Sequence, residues 1–585
     1  MLVYGDRTHR QETREKLQLL EDTLQALAAK QPGIERHGEL VAAFIEAGEL
    51  AQAIADAEFS VRQCDARSHT VDAAMQIVVA LAQAVGTSWT SAFRTMTPPH
   101  SNLVVQLRSA PLPEVIECKQ AEGYAFYALY PEAYFRAASM LPSGPQTRVI
   151  GIRSIGTGLA GLVAAAAEAP LPMTVRPTGH PFRRTLSLAP ELARDILADP
   201  QACFAIVDEG PGLSGSSFGA VADFLESNDV ARRRLHFFPS HRGDLGPQAS
   251  EAHRLRWAEV NRHIVDFDDL ILKAELPAHR LENWMSDLVG PSAAPMEDIS
   301  GGSWRRLRYD GEEAWPPAAI HQERRKYLLQ TTEGRWLLKF AGLGRDGHRK
   351  LDRARRLHAA GFTPEVRGLR HGFLVERWVE EAQPLDHAAF DRDRLVETIG
   401  HYLGYRARHF PAEQGRGASL SALVEMASHN VQEALGERAR EAVGRWLPQL
   451  SRLEQAVRPV ETDSRMHRWE WLVLPDGRLL KTDAIDHHAA HDLIGCQDIA
   501  WDIAGARIEL SLSRPEARRL RAIVQREAGY EVSPELIELM AICYPAFQLG
   551  YYTMAAQVQN GAEARRLAVA AGRYAALLRS ALASV

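Results

Sequence analysis

Apolar and polar positions follow two different periods along the chain, and the change of period divides the sequence into regions. From about Gln11 to Val85, segments such as ETREKLQLLEDTLQALAAK carry apolar residues three and four apart, which predicts amphipathic helices. From about Glu117 to Asp269, short apolar runs such as TRVIGI and CFAIVDE alternate with helical segments. That alternation predicts a mainly parallel sheet with helices on both faces.

A Pro- and Ser-rich stretch, VGPSAAPMEDISGGS from Val289, predicts a linker. Beyond it, RKYLLQTTEGRWLLKF predicts a hairpin with its turn at Glu333-Gly334, EVRGLRHGFLVERWV a strand pair, and the rest mostly helices. We therefore predict a multidomain protein with a helical N-terminal region at 1–115, an α/β region with a parallel sheet at 116–290, and an α+β, two-lobed region at 291–585.

Composition narrows the functional classes. A chain of 585 residues is too long to fold around a single hydrophobic core, so several domains are expected. The net charge of -6 predicts no clear nucleic-acid surface. The five cysteines form no C-x-x-C pair, and the N-terminus is charged where an export signal would be apolar. The longest apolar stretch, near Gly158, is too short to cross a bilayer. We expect a cytoplasmic protein without a membrane segment, acting on small molecules.

The stretch GPGLSG at 210–215 is a literal G-x-G-x-x-G between a predicted strand and a predicted helix. A dinucleotide-binding turn also needs an acid about 20 residues later, and the next apolar run, LHFFPS, ends at Ser240 without one. A second match at Gly342–Gly347 shows how often the pattern arises by chance. Two readings stay open here: an ordinary strand–turn–helix crossover, or an anion site at a helix N-terminus.

Two carboxylates, Asp208 and Glu209, precede these glycines, and VDEGPGLSGSSF resembles the phosphoribosyl diphosphate loop of type I phosphoribosyltransferases. The resemblance implies that this catalytic acidic pair binds the ribose 2- and 3-hydroxyls, or Mg²⁺ through water. It also implies that phosphoribosyl diphosphate is a substrate, and it leaves a homodimer through this region open. The residues that would cradle the 5-phosphate are Gly212, Leu213, Ser214, Gly215, Ser216 and Ser217.

Basic residues precede this loop in TRVIGIRSIGTG and RPTGHPFRR, and the first of these segments resembles the pyrophosphate loop of the same family. Cationic side chains there would neutralise a departing pyrophosphate. A solvated basic loop is the alternative for the second segment. The candidate pyrophosphate-binding residues are Arg153, Ser154, Arg176, Arg183 and Arg184.

The segment from about Tyr327 to Asp502 resembles the aminoglycoside phosphotransferase and choline kinase class of kinase-like folds. The resemblance implies ATP as substrate, with Lys339 in RWLLKF on the nucleotide phosphates. It implies an adenine-binding hinge at 375–378, which contains Glu376. In DSRMHRWEWLVLPDGRLLKTDAID it places the metal ligands on Glu470 and Asp483.

The catalytic Asp position of that class falls on Arg465, so we take Asp463, two residues earlier, as the candidate catalytic carboxylate beside Asp483. Asp502 in QDIAWDIAG is predicted to anchor a helix. DHHAAHD offers His487, His488, His491 and Asp492 to a metal, although packing without a metal is the favoured interpretation.

Two functions follow. The first is a phosphoribosyl transfer to an unknown small molecule, joined to a kinase-like region that phosphorylates the product or binds nucleotide. The second is a non-catalytic nucleotide sensor or scaffold that retains both folds as binding modules.

Overall fold

The computed structural model describes residues 8–97, 101–212, 214–489 and 494–583. The N-terminal part is helical, as predicted, but its first element is a strand that pairs antiparallel with a strand about a hundred residues later. The elements up to residue 138 are Thr8–Glu12 (β1), Thr13–Ala28 (α1), Ile34–Arg62 (α2), His69–Thr90 (α3), Ser101–Ser109 (α4), Val115–Lys119 (β2), Glu122–Phe126 (α5) and Pro131–Ala138 (α6).

The next elements form the predicted parallel sheet. They are Thr147–Ile152 (β3), Gly156–Ala166 (α7), Met173–Val175 (β4), Thr178–His180 (β5), Arg183–Thr185 (β6), Pro190–Ile196 (α8), Cys203–Val207 (β7), Ser216–Glu226 (α9), Leu235–Phe238 (β8), Glu251–Glu259 (α10), Asn261–Arg262 (β9), Leu281–Trp284 (α11) and Ser286–Val289 (α12). The five strands lie in the order β4-β3-β7-β8-β9, all parallel, and β5 and β6 form a separate hairpin.

An antiparallel five-stranded sheet follows, in the order β10-β11-β12-β14-β13. Its elements are Glu297–Asp298 (β10), Lys326–Thr331 (β11), Gly334–Phe340 (β12), Gly344–Ala359 (α13), Val366–Arg370 (β13) and Phe373–Arg377 (β14). The predicted hairpin and strand pair are both present, with Thr332 and Glu333 in the first turn. The N-terminal end of the predicted linker supplies a bridge to Thr331, and its later residues form β10.

The remainder is mainly helical with three small strand pairings. Its elements are Gln383–Pro384 (β15), Arg392–His409 (α14), Leu420–Leu435 (α15), Glu437–Gly444 (α16), Leu450–Glu454 (α17), Pro459–Val460 (β16), Trp471–Val473 (β17), Leu479–Lys481 (β18), Gln497–Asp498 (β19), Ala500–Glu509 (α18), Arg514–Ala528 (α19), Pro534–Val558 (α20) and Gly561–Ala583 (α21). One helix of the described chain, α3, is long and apolar enough to cross a membrane by length and composition, and 56% of its most apolar window is buried.

Three apolar cores hold these layers together. One face of the parallel sheet packs on α8, α9 and α10, and the C-terminal helices enclose a core of their own. The third core joins α2, α3 and α7 to one face of the antiparallel sheet, where Tyr327, Trp336 and Phe340 are buried. Consequently the opposite face of the antiparallel sheet is turned toward the C-terminal helices and lines a cleft.

Candidate functional site

Strand β12 carries a lysine into the cleft. Leu338 and Phe340 belong to the core on one face of the sheet, so alternation along the strand turns Lys339 to the other face. Lys339 is 2% exposed, its ammonium group pairs with the carboxylate of Asp483, and its Nζ lies 3.4 Å from Oδ1 of Asp486. The cleft therefore holds a buried cation against two carboxylates.

Mutual attraction keeps all three groups charged. Burial disfavours the ionised form of Asp483, but the charges of Lys339 and Lys326 outweigh it and hold the pKa of Asp483 well below its usual range. The pKa of Asp486 is lowered in the same way against burial, chiefly by Lys339 and Lys350. Burial also opposes the charge on Lys339, yet the two carboxylates raise its pKa.

Two residues of this cluster, Asp486 and Lys350, were missed by the sequence analysis. Lys350 on α13 places Nζ 3.5 Å from Oδ2 of Asp486, and burial lowers the pKa of Lys350 to about 8. Arg324 Nε lies 3.7 Å from the same oxygen. The repeat of Asp in TDAID was the available signal for Asp486, whereas Lys350 lies on a highly charged helix with nothing to single it out.

The cleft encloses a cavity of about 190 Å³. The predicted residues Lys339, Glu376, Glu470 and Asp483 all line it, and Arg465 lines it as well. Burial raises the pKa of Glu376 to about 7 and also raises the pKa of Glu470. The aromatic residues of the lining are Tyr127, Trp304, Trp378, Trp469, Tyr551 and Tyr552.

Three side chains of the cleft could hold a divalent cation. One ligand atom each from Asp483, Asp486 and His487 lies within 4.8 Å of the others. The carboxylate oxygens of Asp483 and Asp486 are ligands that Mg²⁺ prefers, so these two residues fit the predicted ion, whereas the imidazole of His487 does not. Glu470 faces the same cavity but lies outside this group, with Oε2 at 3.8 Å from Nζ of Lys481.

Asp463 lies beneath the cavity and is absent from its described lining. It is 1% exposed, accepts a hydrogen bond from Tyr402 Oη, and lies 3.4 Å from Lys481 Nζ. The carboxylate of Asp502 accepts hydrogen bonds from the backbone amides of Asp463 and Ser464, at 2.7 and 2.8 Å. Asp502 thus ties α18 to the turn that carries Asp463.

At the position two residues later, Arg465 donates to the hydroxyl of Tyr551 at 3.0 Å and stacks on its ring. Nδ1 of His487 lies 3.0 Å from the carbonyl oxygen of Asp463, and Nδ1 of His488 lies 3.1 Å from that of Thr462. His491 and Asp492 lie outside the described residues.

A second cavity, of about 780 Å³, opens at the carboxyl end of the parallel sheet. Asp208 and Glu209 follow β7 directly and line this cavity. Burial raises the pKa of Asp208 to about 7, and burial together with the charge of Asp208 raises the pKa of Glu209 to about 8. Gly123 on α5 packs closely on this pair, since a Cβ there would lie 2.7 Å from Glu209 Oε1.

Most of the described residues of the predicted phosphate loop do not line this cavity. Only Gly212 of its described residues lines the cavity, in a left-handed conformation with φ of 64°. The hydroxyls of Ser214 and Ser216 donate to the carbonyl of Pro181, at 3.3 and 2.7 Å, and so bind the β5–β6 hairpin. Gly215 caps α9 and Ser217 belongs to its first turn, while Leu213 lies outside the described residues.

Two of the arginines predicted to bind pyrophosphate form ion pairs with carboxylates of the N-terminal region. The guanidinium of Arg153 pairs with Asp65 and, at 3.0 Å, with Asp56, while Arg176 also pairs with Asp56. Ser154 lines the cavity. Arg183 and Arg184 lie on β6, where Arg183 is exposed and Arg184 Nη1 donates to the carbonyl of Pro177 at 3.4 Å.

Comparison with solved structures finds small-molecule kinases. The choline kinase LicA from Streptococcus pneumoniae is 17% identical over 51% of this chain and 98% of that one, with a TM-score of 0.34. An ethanolamine kinase from Plasmodium vivax is 11% identical over 62% and 94%, with a TM-score of 0.33. The aminoglycoside phosphotransferase APH(3'')-Id from Streptomyces rimosus, in complex with ADP and streptomycin, is 16% identical over 41% and 94%, with a TM-score of 0.26.

No protein-family model and no curated protein sequence matches the chain. Since these TM-scores lie below 0.5, we base the function on the side chains of the two cavities.

Proposed function

We propose that the cleft binds ATP with Mg²⁺ and transfers the terminal phosphoryl group to a small molecule, as in the choline kinase and aminoglycoside phosphotransferase class. The observation that carries this proposal is the buried contact of Lys339 with Asp483 and Asp486 in a cavity. A phosphoryl group needs a cation from the protein and a metal ion held by carboxylates, and this cluster offers both.

Each residue then has a distinct task. Lys339 binds the nucleotide phosphates, and Asp483 and Asp486 hold Mg²⁺, with Glu470 beside them. The segment 375–378 lies against adenine. The ring of Trp378 in this segment is held in place by the guanidinium of Arg308, whose Cζ lies 4.0 Å from the ring centroid. The bound ion would neutralise charge on the transferred group, while the side chains orient it.

The acceptor side of the cleft favours a second possibility, which is nucleotide binding without turnover. In this class an Asp aligns the acceptor hydroxyl, whereas here Arg465 occupies that position and Asp463 is buried beneath it. Without a carboxylate to align the acceptor hydroxyl, any phosphoryl transfer would depend only on how the cleft positions the substrates and on its charges. The sensor or scaffold function is therefore the alternative for this half of the chain.

The test uses the full-length chain and measures ATP binding calorimetrically with Mg²⁺, and ATP consumption with a panel of amino alcohols and aminoglycosides. We expect Asp483→Asn to lower consumption about 100- to 1,000-fold, the usual effect of removing one group that stabilises transferred charge. Asp476→Asn, on the exposed β17–β18 turn, is the matched control.

The outcomes separate the two functions. Binding without consumption by the unaltered chain would favour the sensor, and absence of ATP binding would refute both.

We propose a second site at the parallel sheet, for phosphoribosyl diphosphate with Mg²⁺. The observation that favours it is the acidic pair Asp208 and Glu209 in the larger cavity, since adjacent carboxylates suit sugar hydroxyls and a hard cation. Arg153 and Arg176 are already paired with acids, and Arg325 in the cavity lining pairs with Asp268 at 3.4 Å, so a bound pyrophosphate would have to displace a carboxylate from one of these arginines.

Pyrophosphate release tests this second site. The full-length chain is assayed with and without candidate bases, because an acceptor nitrogen must bond to the anomeric carbon as pyrophosphate leaves. We expect release with a suitable base and its loss in the double variant Asp208→Asn with Glu209→Gln. If the double variant binds phosphoribosyl diphosphate as tightly as the unaltered chain, the acidic pair does not hold the sugar.

A further inference from the structure

Two histidines and a glutamate meet in the core, far from each other in sequence. His37 lies on α2, Glu132 on α6, and His371 in the turn between β13 and β14. Nε2 of His37 lies 2.7 Å and Nε2 of His371 lies 3.0 Å from the same oxygen, Oε1 of Glu132. All three side chains are 0% exposed.

Hydrogen bonding inside the described chain leaves this cluster incomplete. Oε2 of Glu132 and Nδ1 of His371 are buried and have no hydrogen-bond partner among the described residues. An unsatisfied buried polar atom costs about 1–3 kcal/mol, and more when the group is charged. The second carboxylate oxygen therefore points to a partner that the described residues do not supply.

The orientation of the rings also suits a metal. Both imidazoles turn Nε2 inward, and Nδ1 of His37 lies 2.9 Å from Oγ of Ser88. A ligating histidine usually has its other nitrogen held by a hydrogen bond, and of these two rings His37 meets that condition while His371 does not. Tyr130 holds the third ligand segment in place, because its hydroxyl donates to the backbone carbonyl of His371 at 2.8 Å.

We propose that His37, Glu132 and His371 bind one divalent transition-metal ion of the Zn²⁺ class. Two imidazoles with one carboxylate are a ligand set of zinc and of neighbouring metals, whereas Mg²⁺ and Ca²⁺ take oxygen ligands. The three ligand atoms lie within 4.8 Å of one another. Tetrahedral bonds of roughly 2.0–2.2 Å separate ligands by roughly 3.4 Å. The two nitrogens now lie 2.7 and 3.0 Å from Oε1, so each would move slightly away from that oxygen on binding the ion.

The surroundings point to a structural role for this ion. Trp89, Phe93 and Trp284 pack on the histidine rings with centroids 4.9 to 5.8 Å apart, so the ligands lie in an apolar shell. The ion would join α2, α6 and the β13–β14 turn, which are three separate parts of the shared core. His371 has a φ of 41°, unusual outside glycine, which suits a residue held in place by its side chain.

Metal content of the purified protein is the first test. The full-length chain without an oligohistidine tag is expressed with zinc supplied, dialysed, and measured by plasma mass spectrometry. We expect about one zinc per chain, near none in Glu132→Gln, and an unchanged content in the control His409→Asn, which alters an exposed histidine. Metal that is retained by Glu132→Gln but lost from Asp483→Asn would place the ion in the cleft and overturn the proposal.

A second measurement does not depend on a variant that folds. The unaltered chain is stripped with a strong chelator and titrated with Co²⁺, whose visible d–d absorption reports low-symmetry nitrogen and oxygen coordination. We expect saturation at one equivalent, a lower Tm after stripping, and recovery of Tm with Zn²⁺. Absence of Co²⁺ absorption with an unchanged Tm would show a hydrogen-bonded cluster instead, with one imidazole protonated against Glu132.

Discussion

Replacing Glu209 by Gln is expected to stabilise the ligand-free protein, and increasingly so as pH rises. Burial raises the pKa of Glu209 from 4.5 to about 8. Above about pH 4.5 the unfolded chain carries an ionised Glu209 while the folded chain keeps it protonated, so folding takes up a proton. Stability is therefore lost progressively between about pH 4.5 and pH 8. Gln removes that titration.

The magnitude follows from the shift. A change from 4.5 to about 8 corresponds to about 5 kcal/mol at 1.36 kcal/mol per pKa unit. The side chain lines a cavity that admits water, so we reduce this ceiling to about 2 kcal/mol for screening. The free-energy gain of the variant should be near zero at pH 4.5 and reach that value by pH 8.5.

The assay is thermal unfolding of both proteins in matched buffers from pH 4.5 to 8.5, followed by circular dichroism. Glu433→Gln, an exposed carboxylate on α15, should leave Tm unchanged relative to the unaltered chain at each pH. A difference in Tm between Glu209→Gln and the unaltered chain that stays constant over this range would refute the reasoning.

Three further predictions concern packing and charge. Gly417→Ala should lower Tm by several degrees, because its Cβ would lie 1.9 Å from the carbonyl oxygen of Cys496, whereas Gly572→Ala, with nothing within 4 Å, should not; equal Tm values would contradict this. Arg305 binds both carboxylate oxygens of Glu563 at 2.9 and 3.1 Å in a buried pair, so Glu563→Gln should cost about 3–5 kcal/mol in denaturant unfolding, and a loss below about 1 kcal/mol would show that the pair is not effectively buried. Gly123→Ala should weaken binding of phosphoribosyl diphosphate, measured calorimetrically, by displacing Glu209, and unchanged affinity would show that Glu209 does not contact the ligand.

Local periodicity was enough to predict much of the fold. Strands β3, β7 and β8 are short apolar runs, and their parallel pairing follows from the helices between them. The hairpin of β11 and β12 could also be predicted from the sequence, because two apolar runs flank a turn. The orientation of Lys339 into the cleft was expected only from the resemblance to the kinase-like class, and Lys339 does line the cavity there.

The partners of charged residues could not be predicted, because they come from distant parts of the chain. Arg153 pairs with Asp65, 88 residues earlier, and Arg176 with Asp56, 120 residues earlier. The cluster of basic residues in the sequence therefore could not show which arginines form ion pairs within the protein and which are available to a ligand. The pairing of β1 with β2 was missed for the same reason.

The core shared by the N-terminal helices and the antiparallel sheet bears on how the protein can be divided. A break at the Pro- and Ser-rich stretch would uncover the face formed by Tyr327, Leu329, Trp336, Leu338 and Phe340, all at most 1% exposed. A fragment of residues 291–585 would then carry a broad apolar surface into water and would be prone to aggregate. The parts of the chain on either side of this stretch are therefore expected to unfold together.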